Sequence, residues 1–247
     1  MSKISNYPKE APVVDPREEP SPDLGQVAEG DQKEDDKQTP VPPAGGGHGV
    51  YQPRPYPADH LVLQPRSYQK TEGKIAYLTF DDGPSPNVTP QILQILKEKQ
   101  VPATFFVIGT NIEKNSGIFL DVYKAGHAIG NHTYSHKYSE IYTGPEALLA
   151  DVEKNGRLIE QITGLRPVIM RTPGGTAFHF NYSYFNLMDQ AGYLVYDWNV
   201  SSQDATKDKV PKEEIVRNVL QQALKKDKII VLMHDGKNKD TTAEALA

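Results

Sequence analysis

The chain contains no cysteine in 247 residues. That excludes disulfide staples, thiolate metal ligands, a cysteine nucleophile and a lipidated cysteine, and it is compatible with either the cytosol or a cell surface. Positive charge is not in excess either. Lys and Arg number 27 against 32 Asp and Glu, for a net charge of -5, which argues against a general nucleic-acid binder, since phosphate contacts need a basic face. Long apolar runs are also missing. Residues 1–30 hold no apolar stretch of about seven or more, so neither a signal peptide nor a membrane span is visible and the chain reads as soluble.

Apolar residues are scarcest at the front. Residues 7–65 are rich in Pro, Asp, Glu, Lys and Gly, with the acidic run Glu34-Asp35-Asp36 and the flexible Gly45-Gly46-Gly47, and no strand or helix period runs through them. Such a segment buries too little apolar surface to offset its ordering entropy. Residues 1–73 therefore read as a disordered Pro- and acid-rich linker. Within it, residues 51–68 combine Tyr, Arg and Pro with Leu61-Val62-Leu63 and read as an extended arm laid on the adjoining domain, assigned to 74–247.

From residue 74 onward, short apolar runs of β-prone residues alternate with amphipathic segments. Strands are expected at 75–80, 103–108, 128–130, 168–171, 194–200 and 229–234. Helices are expected at 91–99, with Thr89 as N-cap and Pro90 as first residue, at 112–125 despite Gly117, at 146–162 closed by Gly164, and near 182–191 and 212–225. Repeated β-α units of this length predict a parallel sheet, most simply a barrel-like one with helices outside.

Two motifs carry chemistry. Thr79-Phe80-Asp81-Asp82-Gly83-Pro84 supplies adjacent carboxylates, and His132-Thr133-Tyr134-Ser135-His136 supplies two imidazoles. Each alone is weak: Asp-Asp-Gly is most often a turn, and a pair of histidines is commonly coincidence. Together they suit a metal hydrolase. Histidines four apart can face one way on a helical turn, a carboxylate from elsewhere can be the third ligand, and the fourth position stays open for water. A divalent ion lowers the pKa of that water, and a second carboxylate can take its proton. Asp81 and Asp82 are suited to divide those two roles. Asp81, Asp82, His132, Arg171, Asp204 and His234 all fall at or just past the C-terminal end of an expected strand, which is the active-site face of a β/α barrel.

In these residues the chain resembles the polysaccharide deacetylases of the NodB-homology group, carbohydrate esterase family 4. Thr79-Phe80-Asp81-Asp82 is similar to the first motif, His132-Thr133-Tyr134-Ser135-His136 to the second and Arg171-Thr172-Pro173-Gly174-Gly175 to the third. The fourth aligns with Trp198-Asn199-Val200-Ser201-Ser202-Gln203-Asp204 and the fifth with Leu232-Met233-His234. The resemblance implies a distorted (β/α)7-type barrel and one divalent ion held by Asp82, His132 and His136, usually Zn2+, with Co2+, Ni2+ or Mn2+ as substitutes. It further implies Asp81 as general base, oriented by Arg171, and His234 as the acid that protonates the departing amine. Asp204 would raise the pKa of His234, with Asp197 as the competing residue for that place. The Thr172 N–H would face the oxyanion, and Pro173, Trp198 and Leu232 would line the substrate groove. The alignment leaves His48, His60, His127 and His179 without a role.

Among family substrates, the third and fourth motifs look most like those of bacterial enzymes acting on N-acetyl groups of peptidoglycan, ahead of chitooligosaccharide or exopolysaccharide. That implies a monomer at the cell surface or wall. A Pro-rich acidic spacer commonly stands behind an export signal or membrane anchor, and such a segment is expected to have preceded this chain. The family normally continues past the fifth motif through a helix and a last strand, whereas this chain stops at residues 241–247, where the helix would begin, so the barrel is expected to lack its last elements. Two other readings share parts of the pattern: an iron oxygenase with two histidines and one carboxylate, which the β-α alternation opposes, and a glycan-binding protein with a decayed site.

Overall fold

The computed structural model describes residues 73–247, so the arm at 51–68 and all of the expected linker before Gly73 lie outside the described residues. Where apolar runs can be covered on both faces they become parallel strands. β1 (Ile75–Asp81), β2 (Thr104–Val107), β3 (Ala128–Asn131), β4 (Ile169–Met170), β5 (Leu194–Val195), β6 (Val200–Ser201) and β7 (Lys228–His234) form one sheet in the order β5-β4-β3-β2-β1-β7-β6. All its pairings are parallel. The intervening helices are α1 (Val88–Lys99), α2 (Gly109–Lys114), α3 (Ser116–Lys124), α4 (Tyr138–Ile141), α5 (Pro145–Thr163), α6 (Tyr182–Gln190), α7 (Lys212–Ala223) and α8 (Asp240–Leu246).

The sheet curls into a half-barrel, and one side chain measures the curl. In a flat sheet β4 and β1 would lie about 14 Å apart, three strand spacings. Arg171, directly after β4, nevertheless places Nη1 2.8 Å from both Thr79 Oγ1 and Asp81 Oδ1 on β1. The two edge strands approach each other as well, because only residues 196–199 connect β5 to β6.

Register brings the polar residues to one rim. Asp81 pairs with His234 across β1 and β7, Val107 with Asn131 across β2 and β3, and Asn131 with Met170 across β3 and β4. Asp82, His132, Arg171 and Asp235 therefore follow their strands onto the same end. Beneath them Phe80, Phe105, Ile92, Leu96, Phe119 and Met233 belong to one core cluster, and Phe80 stacks on Phe105 at 5.1 Å. A second cluster joins Leu148 and Val152 of α5 to Met170, Tyr184 and Met188. Each fully buried side chain of this size contributes roughly 1.5–3 kcal/mol of transfer free energy, which gives the rim a rigid floor.

Several local expectations are corrected. The run at 194–200 is two strands, not one: β5 pairs with β4 and β6 with β7, at opposite edges of the sheet. The expected helix at 112–125 starts at Gly109 and breaks at Asn115, where φ -135 and ψ 42 leave the helical region, so α2 and α3 are separate. Thr89 does not cap α1, which begins a residue earlier; its hydroxyl instead accepts from Ser85 N and donates to Asp235 Oδ2. Gly164 does close α5 in the left-handed conformation, φ 75.

Candidate active site

The carboxylate pair sits at a sharp turn. β1 ends at Asp81, and Asp82 takes φ 73, a left-handed conformation that a non-glycine residue holds only when its surroundings fix it. Asn111 Nδ2 donates to the Asp82 carbonyl at 2.9 Å, and Ile108 N donates to Gly83 O. Gly83 is required by close packing: a Cβ there would lie 2.1 Å from Asp235 Oδ2. The turn points the two carboxylates to different partners. Asp81 is buried and accepts from Arg171, while Asp82 Oδ1 lies 3.4 Å from His132 Nε2 and 3.3 Å from His136 Nε2.

The two histidines do not share a helical turn, contrary to expectation; they stand on the loop between β3 and α4. Thr133 at φ 66 and His136 at φ 58 bend that loop so that both rings converge. For a β-branched residue such as Thr133 the conformation costs about 1–3 kcal/mol, and a set of hydrogen bonds holds it. Asn131 Oδ1 accepts from Thr133 N, Asp151 Oδ1 accepts from Tyr134 N and Ser135 N, and Thr133 Oγ1 accepts from His136 N. Asn155 on α5 donates to Asn131 Oδ1 and to the Val107 carbonyl. Asn131, Asp151 and Asn155 were not singled out from sequence; on an amphipathic helix, Asp151 and Asn155 look like ordinary polar positions.

His132 Nδ1 lies 2.7 Å from the Arg171 carbonyl. A carbonyl can only accept, so Nδ1 carries the proton and Nε2 presents its lone pair to the cluster. Asp82, His132 and His136 offer ligand atoms that all lie within 4.8 Å of one another. Four tetrahedral ligands at about 2.0–2.1 Å from zinc would be separated by roughly 3.3 Å, which matches the two Asp82–histidine separations. The donor set, two imidazole nitrogens and a carboxylate oxygen, also suits a borderline-soft divalent ion.

Electrostatics obey the same division. Burial opposes charge on Asp82, but the His132 hydrogen bond and the charges of His132, His234 and His136 outweigh it and hold the carboxyl well below the usual range. Burial likewise opposes charge on His132, yet Asp81 and Asp82 together raise it. His136 is lowered by burial and by the neighbouring His132, which favours the neutral ring.

Arg171 is fully buried and uses its whole fork. Nη1 donates to Thr79 and Asp81, Nε donates to the Tyr196 carbonyl at 3.0 Å and Nη2 to the Asp197 carbonyl at 3.3 Å, with Cζ 4.2 Å from the Phe106 ring centre. On the other side of the rim, His234 Nδ1 donates to Asp204 Oδ1 at 2.7 Å and His234 N to Asp204 Oδ2 at 2.8 Å. Thr242 on α8 also donates to Asp204 Oδ2. Burial would lower His234, but the hydrogen bond and charge of Asp204, helped by Asp82 and Asp81, push it up to about 9. Asp197, the competing residue, turns the other way and accepts from Thr176 N and Thr176 Oγ1.

The remaining sequence-selected residues line the same end. Thr172 and Pro173 are buried; Tyr142 Oη donates to the Pro173 carbonyl and lies 2.6 Å from Thr172 Oγ1. Trp198 is half-buried with its ring 5.7 Å from Arg171 Cζ, and Leu232 is buried on β7. His179, given no role from sequence, stacks on Tyr142 at 4.0 Å, whereas His127 lies apart and accepts from Ala103 N.

With this geometry in hand, the chain belongs to the polysaccharide deacetylase family, whose model matches residues 68–196. By class it is a hydrolase on the (β/α)7 NodB-type barrel. Among known relatives it is 36% identical over 192 residues to a peptidoglycan-N-acetylglucosamine deacetylase of Bacillus cereus, covering 75% of this chain and 86% of that protein. It is also 36% identical over 162 residues to the peptidoglycan-N-acetylmuramic acid deacetylase PdaC of Bacillus subtilis, covering 66% of this chain but 32% of that longer protein. The crystal structure of a polysaccharide deacetylase from Bacillus cereus superposes with a TM-score of 0.64 at 32% identity, covering 70% of this chain and 84% of that one.

Proposed function

We propose that the protein removes N-acetyl groups from the glycan strands of peptidoglycan, at the cell surface or wall, as a monomer using one divalent ion, zinc by preference. The observation that carries this reading is the convergence on one rim of three parts: the Asp82–His132–His136 triad, the Arg171-bound Asp81 and the Asp204-bound His234. The names of the relatives support the polymer. No helix among the described residues is long and apolar enough to cross a membrane.

Asp82, His132 and His136 would hold the ion, which when bound supplies a Lewis acid and a water of lowered pKa. Asp81 is the base that takes the proton of the attacking water. Its Oδ2 is 3.9 Å from His132 Nε2, beside the cluster rather than in it, and Arg171 fixes Oδ1 so that Oδ2 remains for the proton. An amide leaves poorly as an anion, so its nitrogen needs a proton from a second group. His234 fits that task, because Asp204 occupies Nδ1 and leaves Nε2 to donate, and with its pKa raised to about 9 the ring is protonated at neutral pH. The Thr172 N–H is assigned to the developing oxyanion, with Pro173, Trp198 and Leu232 lining the acetyl and sugar contacts.

Acetate release tests this reading. Peptidoglycan strands and chitin oligomers are offered side by side to protein stripped of metal and then reloaded with zinc. Zinc-dependent release with preference for peptidoglycan is expected; preference for chitin oligomers would overturn the substrate, and no release from zinc-loaded protein would overturn the activity.

A further inference from the structure

The turn that carries Asp82 is packed against a buried acid that the proposed mechanism does not use. Asp235, directly after His234, is 1% exposed. Its carboxyl lies against the open face of Gly83: a Cβ on that glycine would fall 2.1 Å from Oδ2, 2.4 Å from Oδ1 and 2.5 Å from Cγ. Gly236 continues the contact, since a Cβ there would come within 3.0 Å of Asp82 Cβ. Residues 235–236 thus back the turn at 82–83, while Asn111 holds the Asp82 carbonyl.

Hydrogen bonds fix the acid in that place. Asp235 N donates to the Asp81 carbonyl at 3.0 Å, Thr89 Oγ1 donates to Asp235 Oδ2 at 2.6 Å, and Ser85 Oγ donates to the Asp235 carbonyl at 2.6 Å. Ser85 Oγ also accepts from Val88 N and Thr89 N, so the first turn of α1 is tied to the same point. Three elements therefore meet at one buried side chain: the end of β1, the end of β7 and the start of α1. Stability alone would not select this arrangement. Asp235 Oδ1 finds no hydrogen-bond partner among the described residues, and a buried carboxyl oxygen left without one is a net cost. Beside it, Asp82 at φ 73 holds a strained conformation, which persists only where the surroundings over-determine it. That conformation sets Asp82 Oδ1 within 3.4 Å of both histidine Nε2 atoms.

We propose that Asp235 positions the metal ligand Asp82, by filling the face of Gly83 and so holding the left-handed turn that directs the Asp82 carboxylate to His132 and His136. Asp235 is not itself a ligand and takes no part in proton transfer. It acts through the backbone of residues 81–83 and not through its charge. Its loss lets the turn relax toward an ordinary conformation and carries Asp82 Oδ1 away from the two imidazoles, and a ligand set out of place binds its ion more weakly. The inference rests on the reading that Asp82, His132 and His136 hold a divalent ion, and it adds a residue that lies outside the five matched motifs.

Zinc affinity of the folded protein, read by competition with a chromophoric chelator, is measured for Asp235→Ala, Asp235→Asn and Thr89→Val. Met188→Ala, which opens the second core cluster, serves as the control. Asp235→Ala should weaken zinc binding by about tenfold or more. Asp235→Asn, which keeps the shape and can still accept from Thr89, should bind zinc nearly as tightly as the parent protein. Thr89→Val, which removes the hydroxyl that anchors Oδ2, should fall between them. Met188→Ala should lower the melting temperature and leave zinc affinity unchanged. Zinc affinity unchanged in Asp235→Ala, or in Thr89→Val where the alanine variant does not fold, would overturn the role. So would a loss in Asp235→Asn or in Met188→Ala as large as that in Asp235→Ala. The two readings fail separately: zinc held by the parent protein without acetate release removes the deacetylase reading and keeps the positioning role, whereas acetate release with zinc affinity untouched by Asp235→Ala does the reverse.

Discussion

The two sides of the half-barrel are built differently. On one side β1 and β7 run together for seven registered pairs, from Ile75 opposite Lys228 to Asp81 opposite His234. On the other side β4, β5 and β6 are two residues long, and the link at 196–199 crosses between sheet edges with little ladder of its own. Backbone pairing therefore fixes the proposed base and acid relative to each other. Side chains hold the opposite wall: Arg171 grips the Tyr196 and Asp197 carbonyls, and Asp197 grips Thr176. The proposed base and acid rest on the ladder, whereas the histidine pair and the wall at 196–199 rest on hydrogen-bonded loops.

The contrast is broken most severely at Arg171. Arg171→Met leaves Asp81 buried without its partner, for which a loss of about 3–5 kcal/mol is expected, together with loss of acetate release. Thermal unfolding measures the first. Amide exchange measures where local opening adds to it: the increase should be largest at 196–198, whose carbonyls Arg171 holds.

Asp204→Asn tests the other wall of the site. With His234 raised to about 9, the proton it is proposed to donate is present at neutral pH and is lost as pH rises through that value. The alkaline limb of kcat/KM should therefore lie near pH 9. Removing the Asp204 charge should move the limb downward by about one pH unit or more, toward the ordinary histidine value of about 6.5. A limb that stays in place would separate His234 from the proton-donating step.

Thr242→Ala is the mildest change. It deletes one buried hydrogen bond to Asp204 Oδ2, for a loss of about 1.5 kcal/mol in unfolding free energy, but it leaves the Asp204 charge in place, so the alkaline limb should not move downward as it does in Asp204→Asn.

The same contrast explains what could be read from sequence. Residues 75–80 and 229–233 are largely apolar runs followed at once by Asp81 and His234, so the long strands and the rim at their ends were legible, as was the parallel β-α order. Residues 194–200 also look continuous, and nothing local reveals that Tyr196 to Asn199 leave one edge of the sheet for the other; only the curl makes that short link sufficient. The loop bearing His132 and His136 was identified by residue type, but its shape depends on Asn131, Asp151 and Asn155, whose partners are distant in sequence. His179 and Tyr138 escaped for the same reason: their neighbourhood exists only once the loops after β3 and β4 lie side by side.

The division of labour between the adjacent carboxylates is the centre of the account, and zinc content measured together with acetate release tests it most directly. Asp81→Asn should keep one zinc per chain and lose turnover by a factor of about 100 or more, whereas Asp82→Asn should lose both zinc and turnover. Zinc lost from Asp81→Asn and kept by Asp82→Asn, or turnover that survives in Asp81→Asn, would contradict the assignment.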